Sequence, residues 1–244
     1  MTQGSGRDGT RPLVGLAHGS RDPRAAVAID ELMAAVAALR PGLPVASAFL
    51  DLSEPDLSTA VARLDVPEAV VVPLLFAQAF HARIDVPQAV VAASARTGTE
   101  LVTSEIIGLG PDVLGALQDQ ARQAGITADQ EILLLAVGTS DAAANAAIDD
   151  LAQLWSSGRR GPVRAVFATT APRATDALAE SWTTVPGVVS LFLAPGLLLD
   201  QVRAVAEPRG VVVTPPLGTA MARSVLDRYD AAVLAARSAG TVPR

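Results

Sequence analysis

His18 and His81 are the only histidines in 244 residues, and each follows a short apolar run that reads as a buried strand. In an open α/β sheet, ligands bind outside the carboxyl ends of the strands. Two scarce imidazoles at two such ends are therefore candidates for one site. Neutral imidazole suits borderline first-row metals such as iron, cobalt, nickel and zinc. Asp51 ends a third apolar run, and two imidazoles with a carboxylate make an open site with room for an exchanging ion. Glu54, three residues on, is an alternative carboxylate. Each of these residues also has a plain reading, a loop hydrogen-bonder or a helix cap. Arg21, Arg24 and Arg83 lie near predicted helix starts, where unpaired backbone N–H groups already favour negative charge. The Gly19-Ser20 turn lets backbone approach a ligand closely.

The elements that must position these groups follow from the same rows. Residues 13–17, 45–50, 69–72 and 101–104 read as strands, with helices between them. Asp22-Pro23 and Asp85-Val86-Pro87 share a helix-start grammar, an N-cap followed by a proline in the first turn. Strand and helix alternate throughout, which predicts parallel sheets covered by helices. A doubly wound order 2-1-3-4 would make the first and third strands neighbours, with both histidines facing one crevice.

The second half repeats the first. In LLLAVGTSDAAANAAIDDL, Val137 stands opposite His18. Phe167 in GPVRAVFATTAPRATDAL stands opposite Phe49, Leu198 in VVSLFLAPGLLLDQV opposite His81, and Gly218 opposite Gly110. The same fold is thus built once with histidines and once with aliphatic residues, which argues for a chemical role for the imidazoles; Val137 and Leu198 read as core or wall. The expected organisation is a tail over 1–12, an N-terminal lobe over 13–125 carrying the site, a short linker around 124–131, and a degenerate C-terminal lobe over 131–238.

Composition removes other chemistries. Half the residues are hydrophobic and 18% are charged, so a packed core is expected. Aromatic residues make up 3% and the net charge is −6, which disfavours nucleic-acid binding. All 19 basic residues are arginine, so neither a Schiff-base lysine nor a P-loop lysine is available. There are no cysteines, which removes disulfides, thiolate metal sites and cysteine nucleophiles. The first twelve residues contain no apolar signal core, and no apolar run approaches the roughly 18 residues needed to span a bilayer. A soluble cytoplasmic protein is expected.

At the residues singled out above, the chain resembles the sirohydrochlorin chelatases, the class II chelatases that insert iron or cobalt without ATP. AHGSRDPR at 17–24 is similar to the family's first motif and VVPLLFAQAFHARIDVP at 71–87 to its second. FLDLSEP at 49–55 is similar to an intermediate segment in which the family commonly has Glu where Asp51 stands. The resemblance implies two tandem flavodoxin-like parallel-sheet lobes, the class II chelatase fold, in its long two-repeat form. It implies metal-binding and catalytic roles for His18 and His81, with Asp51 or Glu54 as the carboxylate, and contacts from Ser20, Arg21, Arg24 and Arg83 to the substrate. It also implies a monomer with sirohydrochlorin and a divalent metal as its partners, and no permanently bound cofactor. The metal, Fe2+ in the first instance, Co2+ or Ni2+ otherwise, is itself a substrate. Arginines are expected to gather around the cleft while the acidic surplus lies elsewhere, because the overall charge opposes a polyanionic macrocycle. A carrier that binds metal or tetrapyrrole without turnover is the alternative, and a metal-dependent hydrolase with a fixed ion is a third reading.

One test follows directly. His81→Ala should abolish metal insertion while changing the unfolding free energy by less than about 1 kcal/mol, because Leu198 shows that an apolar residue fits the equivalent place. Insertion assays and denaturant titration of the same preparation check it; normal turnover, or unfolding, contradicts the role given to His81.

Overall fold

A computed structural model of the chain describes residues 11–77 and 81–239, with the side chains of residues 81, 82 and 239 outside that description. The tail expected over 1–12 therefore lies almost wholly outside the described residues. The first sheet contains β1 (Leu13–Ala17), β2 (Val45–Phe49), β3 (Glu68–Pro73) and β4 (Glu100–Thr103). All pair in parallel, in the order β2-β1-β3-β4, the predicted arrangement with β1 and β3 adjacent. Helices α1 (Pro23–Leu39), α2 (Leu57–Leu64) and α3 (Val86–Thr97) connect the strands, and α4 (Pro111–Gln123) follows β4.

The second sheet contains β5 (Ile132–Ala136), β6 (Val163–Phe167) and β7 (Gly187–Ser190), parallel and ordered β6-β5-β7. Helices α5 (Ala142–Ser157), α6 (Ala174–Ala179) and α7 (Leu197–Ala206) alternate with them, and α8 (Ala222–Ala239) closes the chain. A counterpart of β4 is reduced to a single parallel bridge, Val188 to Val213. The two parallel-sheet α/β lobes predicted from the repeat are thus present, one strand short in the second. Among the described residues no helix is long and apolar enough to cross a membrane.

Side chains alternate across each buried strand with period two. Leu13, Ala17, Val70 and Val72 face a central core, whereas Val14, Leu16, Ala69 and Val71 face outward into a second cluster. In the second sheet Ile132, Leu134 and Ala136 join the same central core, while Leu133 and Leu135 face a third cluster. The central core also takes Leu32, Leu117, Leu151 and Leu226 from α1, α4, α5 and α8. Burying each such leucine stabilises by about 1.5–3 kcal/mol, so the lobes are joined by the core itself.

The last helix of each half crosses over. α8 packs on β3, β4 and α1, and α4 packs on β7. Polar contacts fix both exchanges. The Tyr229 hydroxyl donates to the Arg11 carbonyl at 2.7 Å, and the Arg228 guanidinium donates to the carbonyls of Ile106 and Ile107 at 3.0 and 2.6 Å. On the other side, Gln120 Nε2 of α4 donates to the Pro215 carbonyl at 2.9 Å. The Thr214 hydroxyl accepts from the Ser190 N–H at 2.9 Å and lies 3.3 Å from Gln120 Oε1.

Both predicted helix starts are present, but only the first has its side-chain cap. Asp22 caps α1, its carboxylate accepting from the Arg24 N–H at 3.0 Å, with Pro23 in the first turn. Asp85 is itself helical and makes no capping bond, because a π turn over His81–Asp85 runs straight into α3. The helical backbone begins four residues before Asp85, so the N–H groups that a cap would satisfy are already inside the helix.

The buried Ser190–Thr214–Gln120 network yields a prediction. Thr214→Val removes the acceptor of the Ser190 N–H and should destabilise the protein by about 1–3 kcal/mol, while Thr214→Ser keeps most of the stability. Denaturant midpoints measure both; equal midpoints for valine and wild type would contradict the role assigned to this contact.

Candidate functional site

The hydrogen-bond ladder of the first sheet continues past β1. Leu74 N–H donates to the Leu16 carbonyl at 2.8 Å, Leu50 N–H to Ala17 at 2.9 Å, and Asp51 N–H to His18 at 3.0 Å. His18 and Asp51 are therefore held side by side by their backbones. His18 is half-buried, and Asp51 is exposed, its carboxylate accepting from the Leu52 N–H at 2.8 Å. Glu54 is also exposed. His81 opens the π turn that follows β3, the neighbour of β1; its side chain lies outside the described residues. Single π turns inside helices occur frequently at functional sites.

Gly19 makes the close approach of the two loops possible. Its φ is +96° and a Cβ there would lie 1.7 Å from the Asp51 carbonyl oxygen, so a side chain would push Asp51 away from His18. Ser20 ties the same loops together. Its N–H donates to Ser53 Oγ at 3.0 Å, Ser53 Oγ donates to the Ser20 carbonyl at 3.0 Å, and Ser20 Oγ accepts from the Asp22 N–H at 3.0 Å.

The second lobe repeats this scaffold with different chemistry. Thr169 N–H donates to the Val137 carbonyl at 3.0 Å, so Thr169 occupies the place of Asp51 beside Val137 in the place of His18. Gly138, at φ +85°, matches Gly19, and Thr139 Oγ1 accepts from the Asp141 N–H at 3.2 Å as Ser20 does from Asp22. Val137 is 43% exposed, hence wall and not core. Leu198 is half-buried against the outer cluster of its own lobe. The imidazole, carboxylate and imidazole positions of the first lobe are thus valine, threonine and leucine in the second.

The arginines are distributed unevenly. Arg21 is exposed. Arg24 pairs with Asp22 and, across to the second lobe, with Asp200; both partners hold its guanidinium charged, and its bonds to Asp22 keep that carboxylate below the ordinary range. Arg83 pairs across to Asp141, the N-cap of α5. Where the lobes meet, Arg24 and Arg83 are each matched by a carboxylate, so acidic residues are not kept away from the junction as expected. Asp141 and Asp200 were not among the residues that sequence reasoning selected, although Arg83 standing opposite Asp200 in the repeat was a visible signal.

Two cavities lie along the junction of the lobes. The larger, about 980 Å³, is walled by Phe76, Arg83, Ile106 and Leu109 of the first half against Ala143 of α5 and Arg228 of α8. The smaller, about 440 Å³, is its counterpart under the repeat, with Arg24 and Ala28 of α1 facing Leu193, Pro195 and Leu217. His18 is in neither wall. Among the described residues no group of three or more His, Cys, Asp or Glu side chains is gathered for a metal ion.

Residues 12–124 match the model of the CbiX family. No protein of curated function matches the sequence. The fold is similar to that of SirB from Bacillus subtilis with Fe3+, at 22% identity and a TM-score of 0.77 over 95% of this chain and 98% of that one. It is similar to the sirohydrochlorin chelatase SirB from Bacillus subtilis subspecies spizizenii in complex with cobalt, at 20% identity and TM-score 0.74 over 92% and 96%. A third structure, CbiX described as the terminal enzyme for biosynthesis of siroheme in denitrifying bacteria, aligns at 22% identity and TM-score 0.67 over 89% and 99%. At these identities the likeness establishes the two-lobed fold.

Gly19 provides the test of this geometry. Gly19→Ala should lower stability by about 1–3 kcal/mol and reduce activity as well, whereas Gly42→Ala, also at positive φ but with open space around its Cβ, should lower stability alone. Denaturant midpoints with parallel rate measurements check the pair, and a Gly19→Ala protein of wild-type stability would contradict the close approach.

Proposed function

We propose that the chain, whose residues 12–124 match the CbiX family model, is a sirohydrochlorin chelatase that inserts a divalent metal without a nucleotide. One observation carries the reading. His18 directly follows β1 and Asp51 is bonded to it by its backbone, His81 begins the π turn that comes after the adjacent strand β3, and every counterpart in the second lobe is a side chain that does not bind metal well.

In this reading the first lobe does the chemistry and the second closes the cleft. His18 and His81 present the ion to the four ring nitrogens as neutral donors. Metal entry releases two N–H protons from the macrocycle, and exposed Asp51, or an imidazole once the ion has left it, accepts them at the rim and passes them to water. Glu54, on the same exposed loop, is the second carboxylate available for this. Ser20, Arg21, Arg24 and Arg83 bind the carboxylates of the substrate. Fe2+ is the favoured metal, with Co2+ the next choice, and one chain supplies both walls of the cleft. The solved relatives with Fe3+ and with cobalt support an ion of this class.

Anaerobic incubation of sirohydrochlorin with Fe2+ or Co2+ and a catalytic amount of protein should give many turnovers per chain, followed by absorbance. A signal that stops at one equivalent identifies a carrier and contradicts the proposal. A preparation that already holds one tightly bound ion points instead to a hydrolase.

A further inference from the structure

Among the arginines that pair between the halves, Arg83 and Arg24 do so under one rule. The N-terminus of each lobe's first helix meets the start of the other lobe's third helical segment. At one joint Asp141, the cap of α5, pairs with Arg83 in the π turn ahead of α3. At the other, the equivalent cap is Asp22, but the residue equivalent to Arg83 is the acid Asp200. Two facing carboxylates would repel, and Arg24, where the second lobe has Ala143, lies between them and pairs with both. The charge reversal at 200 is compensated at 24. In both joints the cation belongs to the first lobe and the interlobe anion to the second.

From this arrangement we propose that Asp141 and Asp200 are specificity-determining residues: carboxylates of the second lobe that occupy Arg83 and Arg24 until the carboxylates of the macrocycle displace them. This rests on the chelatase reading above. The pairs suit exchange. Arg24 and Arg83 are 53% and 54% exposed, and such exposed ion pairs contribute little to stability and are screened by salt. A substrate bearing several carboxylates offers a replacement for either pair, whereas a ligand with a single carboxylate can displace only one. The acids therefore raise the threshold for weakly charged or singly charged competitors and leave the affinity to polycarboxylates.

The test uses the full chain and metal-free sirohydrochlorin as the probe, with binding followed by absorbance and insertion followed with Fe2+ or Co2+. Asp141→Asn keeps a side-chain oxygen for the α5 cap; Asp200→Asn is isosteric and, besides the pair with Arg24, weakens only the 3.9 Å contact to Arg203 within α7. Each should lower the Kd and KM for sirohydrochlorin about threefold by removing an internal competitor, with kcat unchanged, and Asp200→Glu should restore the wild-type KM. Arg24→Gln and Arg83→Gln should raise both constants. If wild type turns over but the asparagine variants bind sirohydrochlorin with equal or weaker affinity, the exchange is wrong and the chelatase reading stands. If wild type neither binds sirohydrochlorin nor inserts either metal, that reading fails and the exchange fails with it.

Discussion

The pairing of β1 with its two parallel neighbours sets everything at the cleft. Because the ladder runs on for a residue or two beyond the regular strands, Leu16, Ala17 and His18 each offer a carbonyl to the adjoining chain, and the segments that follow β2 and β3 leave the sheet beside the β1 turn. Parallel strands buried on both faces cannot shift register without exposing a whole apolar face. That constraint places His18 and Asp51 as neighbours and starts the segment after β3, at Leu74, beside the end of β1. Gly19 then removes the side chain that would force the loops apart.

The duplication separates scaffold from chemistry. Ladder, left-handed glycine and capped helix recur at Val137, Gly138 and Asp141, so those features belong to folding. The imidazoles and the carboxylate do not recur, so they are not needed for it. The halves are nonetheless one folded body. Their inner faces share a core, and α4 and α8 each lie on the sheet of the other half. A chain cut between the lobes would leave β3 and β4 without the apolar cover of α8. The second lobe lacks the imidazoles and the carboxylate but still supplies that cover, the opposite wall of both cavities, and the acids at both of these joints.

Much of this was legible in the residues. Continuous Val and Leu runs mark strands buried on both faces, and Asp22-Pro23 marks a helix start, because each follows from short-range sterics and hydrogen bonding. The same grammar located the start of α3 at Asp85-Val86-Pro87 but not the missing capping bond, since nothing in the local pattern distinguishes a cap from a π turn already under way at His81. The exchange of α4 and α8 was hidden for a different reason. Alanine-rich amphipathic helices show which face is buried but not which sheet covers it. The counterpart of β4 shrank to a bridge just before Pro215-Pro216, where proline offers no N–H to extend a ladder. The interlobe ion pairs depend on long-range geometry, yet they left a trace in the repeat, with Arg83 opposite Asp200 and Arg24 opposite Ala143.

The central claim is that two imidazoles, from two adjacent strand ends, hold one ion together. With only His18 and His81 in the chain, the imidazole region of a nuclear magnetic resonance spectrum contains two spin systems and no others. Titrating the metal-free protein with Co2+ should perturb both with a common midpoint at one equivalent. A response from a single imidazole, or two separate midpoints, would contradict the account.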